Sequence, residues 1–182
     1  MAKVNHTKFA ILGLLTTECR TGYAIKQMID QSLTHFWKIS YGQIYPTLKA
    51  LVEEGLATVS ETTQQGKPDK KEYHITAKGD EVLKSWLHQE ITDIPTEKNE
   101  LLLKLFFSRH QLPDKAIQHI KEYQRKYEEQ YETYVGIEEM INATLSHAPD
   151  ANFWLITLDY GKRTTTSIIE WCKATIEQLE AK

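Results

Sequence analysis

Along the first half of the chain, apolar side chains recur at helical spacing, then in alternation, then at helical spacing again. In "HTKFAILGLL" Phe9, Ile11, Leu12, Leu14 and Leu15 fall three and four residues apart, which predicts a short, well-buried helix ended by the polar "TTECRTG". Ile25, Met28, Ile29 and Leu33 mark a second helix from Tyr23, with Thr21 and Gly22 at its start. Phe36 and Trp37 follow, and their large apolar area is expected to close the core. In "SYGQIYPTLKALVEEGL", Ser40 and Gln43 form a capping box, Ile44, Leu48, Leu51 and Val52 one apolar stripe, and Gly55 a left-handed stop.

After Gly55 the period shortens. "LATVSETT" and "KEYHIT" predict two antiparallel strands, and "QQGKPD" between them has the composition of a turn. Helical spacing returns in "TAKGDEVLKSWLHQE" through Val82, Leu83, Trp86 and Leu87. "TDIPTEK", with Pro95, predicts a hinge.

Everything beyond the hinge has helical spacing. Leu101, Leu102, Leu105 and Phe106 predict a short apolar helix, and Pro113 stands near the first turn of the next. Ile120, Gln124, Tyr127, Tyr131, Tyr134, Glu138, Ile141 and Leu145 repeat every 3.5 residues or so, a tyrosine-rich coiled-coil seam. A last helix holds Phe153, Trp154, Leu158, Ile168, Trp171, Cys172, Ile176 and Leu179. The fold class is mainly α: an N-terminal winged helix-turn-helix over residues 1–92 and an all-helical region over 93–182. Amphipathic faces this long exceed what so small a domain can bury, which predicts a homodimer.

Net charge is −3, unpromising for a nucleic-acid binder until it is divided. Residues 1–90 hold eleven Lys/Arg against ten Asp/Glu, and residues 91–182 eleven against fifteen, so the acidity belongs to the second half. Cys19 and Cys172 belong to no ligand pattern and are expected to be buried thiols in a reducing cytoplasm. No apolar run approaches the roughly 20 residues of a membrane span, and the N-terminus lacks a small-residue cleavage site. Walker, GxGxxG, HExxH and GxSxG motifs are absent, and no two of the seven histidines stand at i and i+4. Neither catalysis nor a cofactor nor a metal is expected.

Three helices followed by a ribbon is the order of a winged helix, whose third helix enters the major groove while the ribbon tip reaches the flanking backbone. Opposite its apolar stripe this helix has Gln43, Pro46, Lys49 and Glu53, with Tyr41 and Tyr45 at the flanks. A glutamine can pair bidentately with adenine, and a lysine can meet phosphate or guanine. Lys67, Lys70 and Lys71 beside Gly66 form the densest basic cluster of the chain. An ordinary soluble hairpin tip has the same composition, and the preceding helix order favours DNA. The alternative is a helical protein-interaction adaptor whose winged helix no longer binds DNA, which has no need of a basic tip.

The segments "AILGLL", "TGYAIKQMI", "FWKISYGQIYPTLKALVEEGL" and "GKPDKKEYHITAKG" resemble the PadR-type winged-helix regulators, particularly the longer group that includes phenolic-acid repressors and a Vibrio virulence-gene activator. "IIEWCKATIEQL" looks like that family's closing dimer helix. The resemblance implies a cytoplasmic homodimer on a palindromic operator. It implies DNA contacts at Ser40, Tyr41, Gln43, Tyr45 and Lys49 on the helix, at Gly66, Lys67, Lys70 and Lys71 on the wing, and at Tyr23 and Lys26 on the second helix. Some relatives bind phenolic acids and others flat aromatic drugs. By analogy a small aromatic effector would meet Trp86, Arg109, Tyr127, Tyr131, Trp154 and Tyr160, although packing of a dimer core is the simpler role for each of those aromatics. Arg109, His119 and Lys162 are the cations that such an effector's carboxylate would need.

Overall fold

Thr21 opens a helix because its hydroxyl oxygen accepts the Ala24 main-chain N–H at 3.1 Å, and Asn5, Thr76 and Asn99 open three others in the same way. The computed structural model describes residues 5–62, 70–92 and 97–181. Contacts divide the chain into two compact units, Met1–Ile94 and Pro95–Lys182.

The first unit runs α1 (His6–Leu15), α2 (Gly22–Gln31), a 3-10 turn (Leu33–His35), α3 (Tyr41–Glu53), β1 (Ala57–Thr62), β2 (Lys70–Ile75) and α4 (Ala77–Leu87). The strands pair antiparallel from Ala57 opposite Ile75 to Thr62 opposite Lys70. Ile11, Leu12, Ile25, Ile29, Ile44, Leu48 and Leu51 are almost wholly buried in one cluster that Tyr73 and Leu83 complete. Burying each such side chain contributes on the order of 2 kcal/mol.

The end of α3 sets the wing's starting direction. Gly55 turns at φ 71°, while the Leu56 and Gly55 N–H groups bond back to the Leu51 and Val52 carbonyls. The Glu54 and Gly55 carbonyls, which the helix leaves orphaned, accept Lys78 Nζ and Thr76 Oγ1, both at 2.8 Å. The first turn of α4 therefore lies against this corner. A Cβ at Gly79 would stand 2.1 Å from the Leu56 carbonyl oxygen, so no larger residue fits.

Two apolar expectations need correction. Phe36 and Trp37 do not close the core: both are exposed, Phe36 by 58%, and the Trp37 ring lies 5.1 Å from that of His6. The second helix ends at Gln31, short of Leu33, and the 3-10 turn that holds Leu33 points the next two aromatics outward. Leu87, at the last turn of α4, is also exposed.

The second unit comprises α5 (Glu100–Phe106), a 3-10 turn (Ser108–His110), α6 (Pro113–Met140), a π-helical turn (Ile141–Leu145) and α7 (Ala151–Glu180). The repeat from Ile120 to Leu145 is buried or half-buried throughout, and its partner is α7 of the same chain. Ala151, Leu158, Thr165 and Cys172, seven residues apart, supply the facing side. Gly161 is the close approach: a Cβ there would lie 3.0 Å from the Tyr134 ring. Cys19 and Cys172 are both buried, and burial pushes the Cys172 thiol above its ordinary range.

Candidate nucleic-acid interface

Two helices build one exposed polar-aromatic face on the first unit. On α2, Lys26 and Gln27 lie three and four residues after Tyr23 and four and three before Asp30, the spacing of a single helix face. Beside them α3 presents Tyr41 and Tyr45, 50% and 61% exposed. Packing of Ile25 and Ile29 against Ile44 and Leu48 in the common core holds the two helices together.

Direct contacts join the helices. The Tyr41 hydroxyl donates to Asp30 Oδ1 at 2.6 Å, and Lys26 Nζ stands 4.1 Å from the centroid of the same ring, a cation over a π face. That hydrogen bond, with the neighbouring negative charge, pushes the Tyr41 phenol above its ordinary range. The Tyr45 ring covers Gly22, where a Cβ would come within 2.6 Å of Cε1. Tyr23 Oη accepts from Gln27 Nε2 at 3.3 Å.

At the start of α3 the Gln43 side chain folds back. Its Oε1 accepts both the Ser40 main-chain N–H and the Ser40 hydroxyl, each at 3.1 Å. Pro46 lies deeper in the helix and is exposed, bordering a shallow groove with Asn5, Lys8, Thr47, Ala50 and Glu54. It removes the hydrogen bond to the Gly42 carbonyl on the side away from Ile44, Leu48 and Leu51, so the core face of α3 stays intact. Lys49 is exposed, with Nζ 3.6 Å from Glu53.

On the wing, β2 places Lys71 opposite Glu61 in register, and the two form an ion pair at 2.7 Å. Proximity in sequence shows only Asp69 and Glu72 beside the wing lysines, whereas strand pairing adds Glu61 from across the ribbon. Lys70 lies on β2 opposite Thr62, and Gly66 and Lys67 lie outside the described residues. The structure thus gathers Tyr23, Lys26, Tyr41 and Tyr45 on one face, with Gln43 and Lys49 also on α3 and Ser40 capping it.

Gln27 and Asp30 belong to this face, Gly22 lies buried beneath its Tyr45 ring, and motif reasoning misses all three. The i, i+4 spacing of Lys26 and Asp30 was the available signal, since it puts both on one side of α2.

The effector candidates are placed separately. Trp86 stacks on Phe9 in the first unit, with ring centroids 4.7 Å apart. In the second unit the half-buried Tyr127 shares a hydrogen bond of 3.2 Å with Tyr123, whose hydroxyl accepts from Asn99 at 2.7 Å. Burial, then that bond, pushes the Tyr127 phenol well above its ordinary range. Tyr131 borders a groove with Asp159, Lys162, Arg163, Thr166 and Ser167. Lys162 is committed to Glu138 at 2.6 Å, and Arg109 Nε donates to His110 Nε2 at 3.0 Å. Trp154 is half-buried and Tyr160 is 71% exposed.

Comparison with known proteins completes the picture. The profile described as "Transcriptional regulator PadR-like family" matches residues 11–85, and "Virulence activator alpha C-term" matches residues 97–180. The Negative transcriptional regulator PadR of Bacillus subtilis (strain 168) is 30% identical over 179 residues, spanning 95% of this chain and 97% of that protein. The chain belongs to the PadR-like family of transcriptional regulators. Among solved structures of the family, Bacillus subtilis PadR in complex with operator DNA superposes with a TM-score of 0.87 at 29% identity, covering 97% of this chain and 99% of that one. The same protein in complex with p-coumaric acid gives 0.77 at 28% identity, over 95% and 98%. Mainly α architecture with a two-stranded wing is the fold this family shares.

Proposed function

We propose that this PadR-like regulator binds a palindromic operator as a homodimer and represses transcription, with α3 in the major groove and the wing on the flanking backbone. What carries the reading is the α2–α3 face, where exposed tyrosines, Lys26, Gln43 and Lys49 share the surface that a helix-turn-helix turns toward DNA. Its support from outside the chain is the operator complex of the Bacillus subtilis relative. The reading assigns the protein to the cytoplasm and gives it no catalytic role; no described helix is long and apolar enough to cross a membrane.

The homodimer is supported by the second unit's surface. Leu103, Phe106, Phe107 and Leu112 in and after α5, and Phe153, Ile156 and Tyr160 on α7, are all more than half exposed. A lone soluble chain rarely exposes that much apolar surface, and a second copy is the partner that would cover it. Replacing Phe106 by Glu is expected to halve the mass measured by light scattering; an unchanged mass removes α5 from the interface.

Release by a small aromatic effector completes the proposal. The relative solved with p-coumaric acid supports it, as do the half-buried phenols of Tyr123 and Tyr127.

An electrophoretic shift with the gene's own promoter region tests operator binding. The shift should survive excess nonspecific duplex, and loss under that competition contradicts the operator. Gly22→Ala sharpens the interface: the added methyl displaces the Tyr45 ring without disturbing buried backbone. Melting should then be unchanged while operator affinity falls. Changing Lys67, Lys70 and Lys71 to Ala should weaken binding to every sequence and flatten its salt dependence by about 0.9 per lost phosphate contact. An unchanged slope takes the wing out of the interface.

A further inference from the structure

Two side chains on the proposed recognition face already use part of their hydrogen-bonding capacity within the protein. Gln43 Oε1 receives the Ser40 N–H and the Ser40 hydroxyl, each at 3.1 Å. A main-chain N–H can only donate, so the atom facing it must be the amide oxygen, and two acceptances fill both its lone pairs. What remains to point outward is the NH₂ group, a donor. Tyr41 is the reverse case. Its one hydroxyl hydrogen goes to Asp30 Oδ1 at 2.6 Å, leaving the phenol oxygen as an acceptor beside a carboxylate. A phosphate, itself an acceptor and an anion, has no favourable way to meet it.

We propose that Gln43 and Tyr41 are specificity-determining residues of opposite polarity, Gln43 reading base-edge acceptors only and Tyr41 base-edge donors only. This rests on the operator-binding reading above and replaces the bidentate glutamine–adenine pair expected from residue type. In the major groove, acceptors are guanine N7 and O6, adenine N7 and thymine O4, and donors are the amino groups of cytosine and adenine. Bidentate pairing would need the Gln43 oxygen to leave the cap of α3. Ser40, through its two bonds to that oxygen, acts as a positioning residue.

Selection from a random duplex pool by the full-length protein, followed by affinity measurements on the enriched site, tests the proposal. Gln43→Glu keeps a capping oxygen and loses the outward donor, and Tyr41→Phe keeps the ring beneath Lys26 and loses the acceptor; melting curves check that both fold. Gln43→Glu should lower affinity about ten-fold for the preferred base at one position per half-site and shift preference there toward cytosine. Tyr41→Phe should relax preference at a position held by cytosine or adenine, without changing the salt slope.

If the Gln43-dependent base is adenine, 7-deaza-adenine should weaken binding while a purine lacking the 6-amino group should not. Equal losses from both analogues overturn the donor-only assignment. A uniform loss across sequences for Tyr41→Phe, with the salt slope reduced by about 0.9, would make Tyr41 a phosphate ligand and overturn its half. Unaltered base preference in both variants overturns the whole. Failure of the wild type to enrich any motif instead overturns operator binding itself, and is told apart by the first selection alone.

Discussion

Among the described residues, fifteen buried side chains meet in one cluster in the first unit, whereas in the second the corresponding cluster has Leu101, Ile120, Cys172 and Ile176. The units are of nearly equal length, so the difference is architectural. Three helices, a ribbon and α4 surround a common interior and leave a polar-aromatic outer face. Two long helices packed side by side have one inner side each, and the apolar residues on their other sides stay in water. A closed core frees a surface for reading a ligand; an open layer offers its surface to another protein. The second unit's stability should therefore depend on protein concentration and the first unit's should not.

Substitutions can break this contrast at points of decreasing consequence. Ile120→Ala empties a site in the thin inner seam of the second unit and is expected to destabilise it by about 2–5 kcal/mol. Trp154 and Trp171 report on that unit, and Trp37 and Trp86 on the first, so fluorescence of variants retaining one pair follows each separately. If the Trp37/Trp86 signal moved with Ile120→Ala, the units would not be energetically separate. Gly79→Ala forces a methyl against the Leu56 carbonyl, and about 1–3 kcal/mol should be lost from the first unit alone. Denaturant unfolding measures it, and a wild-type midpoint would mean that the α3–β1 corner yields freely. Ser40→Ala removes the side-chain oxygen of the α3 capping box and should lower stability by about 1 kcal/mol, read from the same unfolding curves.

Much of the fold was legible because its signals are local. The capping box, the positive φ of Gly55 and the strand alternation each depend on a few adjacent residues, and all three occur. The heptad of α6 was legible as a period, but a period does not say whose helix fills it, and here α7 of the same chain does. Phe36 and Trp37 were misjudged because apolar area measures what burial would gain, without indicating which way a 3-10 turn points the chain.

The interface was legible in its residues more than in its bonds. Gln43 suits both a cap and an adenine reader by type, and only the geometry reveals that both roles claim the same oxygen. Asp30 went unnoticed because its partner Tyr41 stands eleven positions away, beyond helical spacing. The Glu61–Lys71 pair needed the strand register.

Fluorescence anisotropy of a labelled fragment of the gene's own promoter region, titrated with the full-length protein over a series of salt concentrations, tests the central claim most directly. The account predicts a saturable complex of two chains per site, tighter than on a scrambled duplex by at least about a thousand-fold, its affinity falling linearly with salt on logarithmic axes. Equal affinity for the promoter and the scrambled duplex would contradict it.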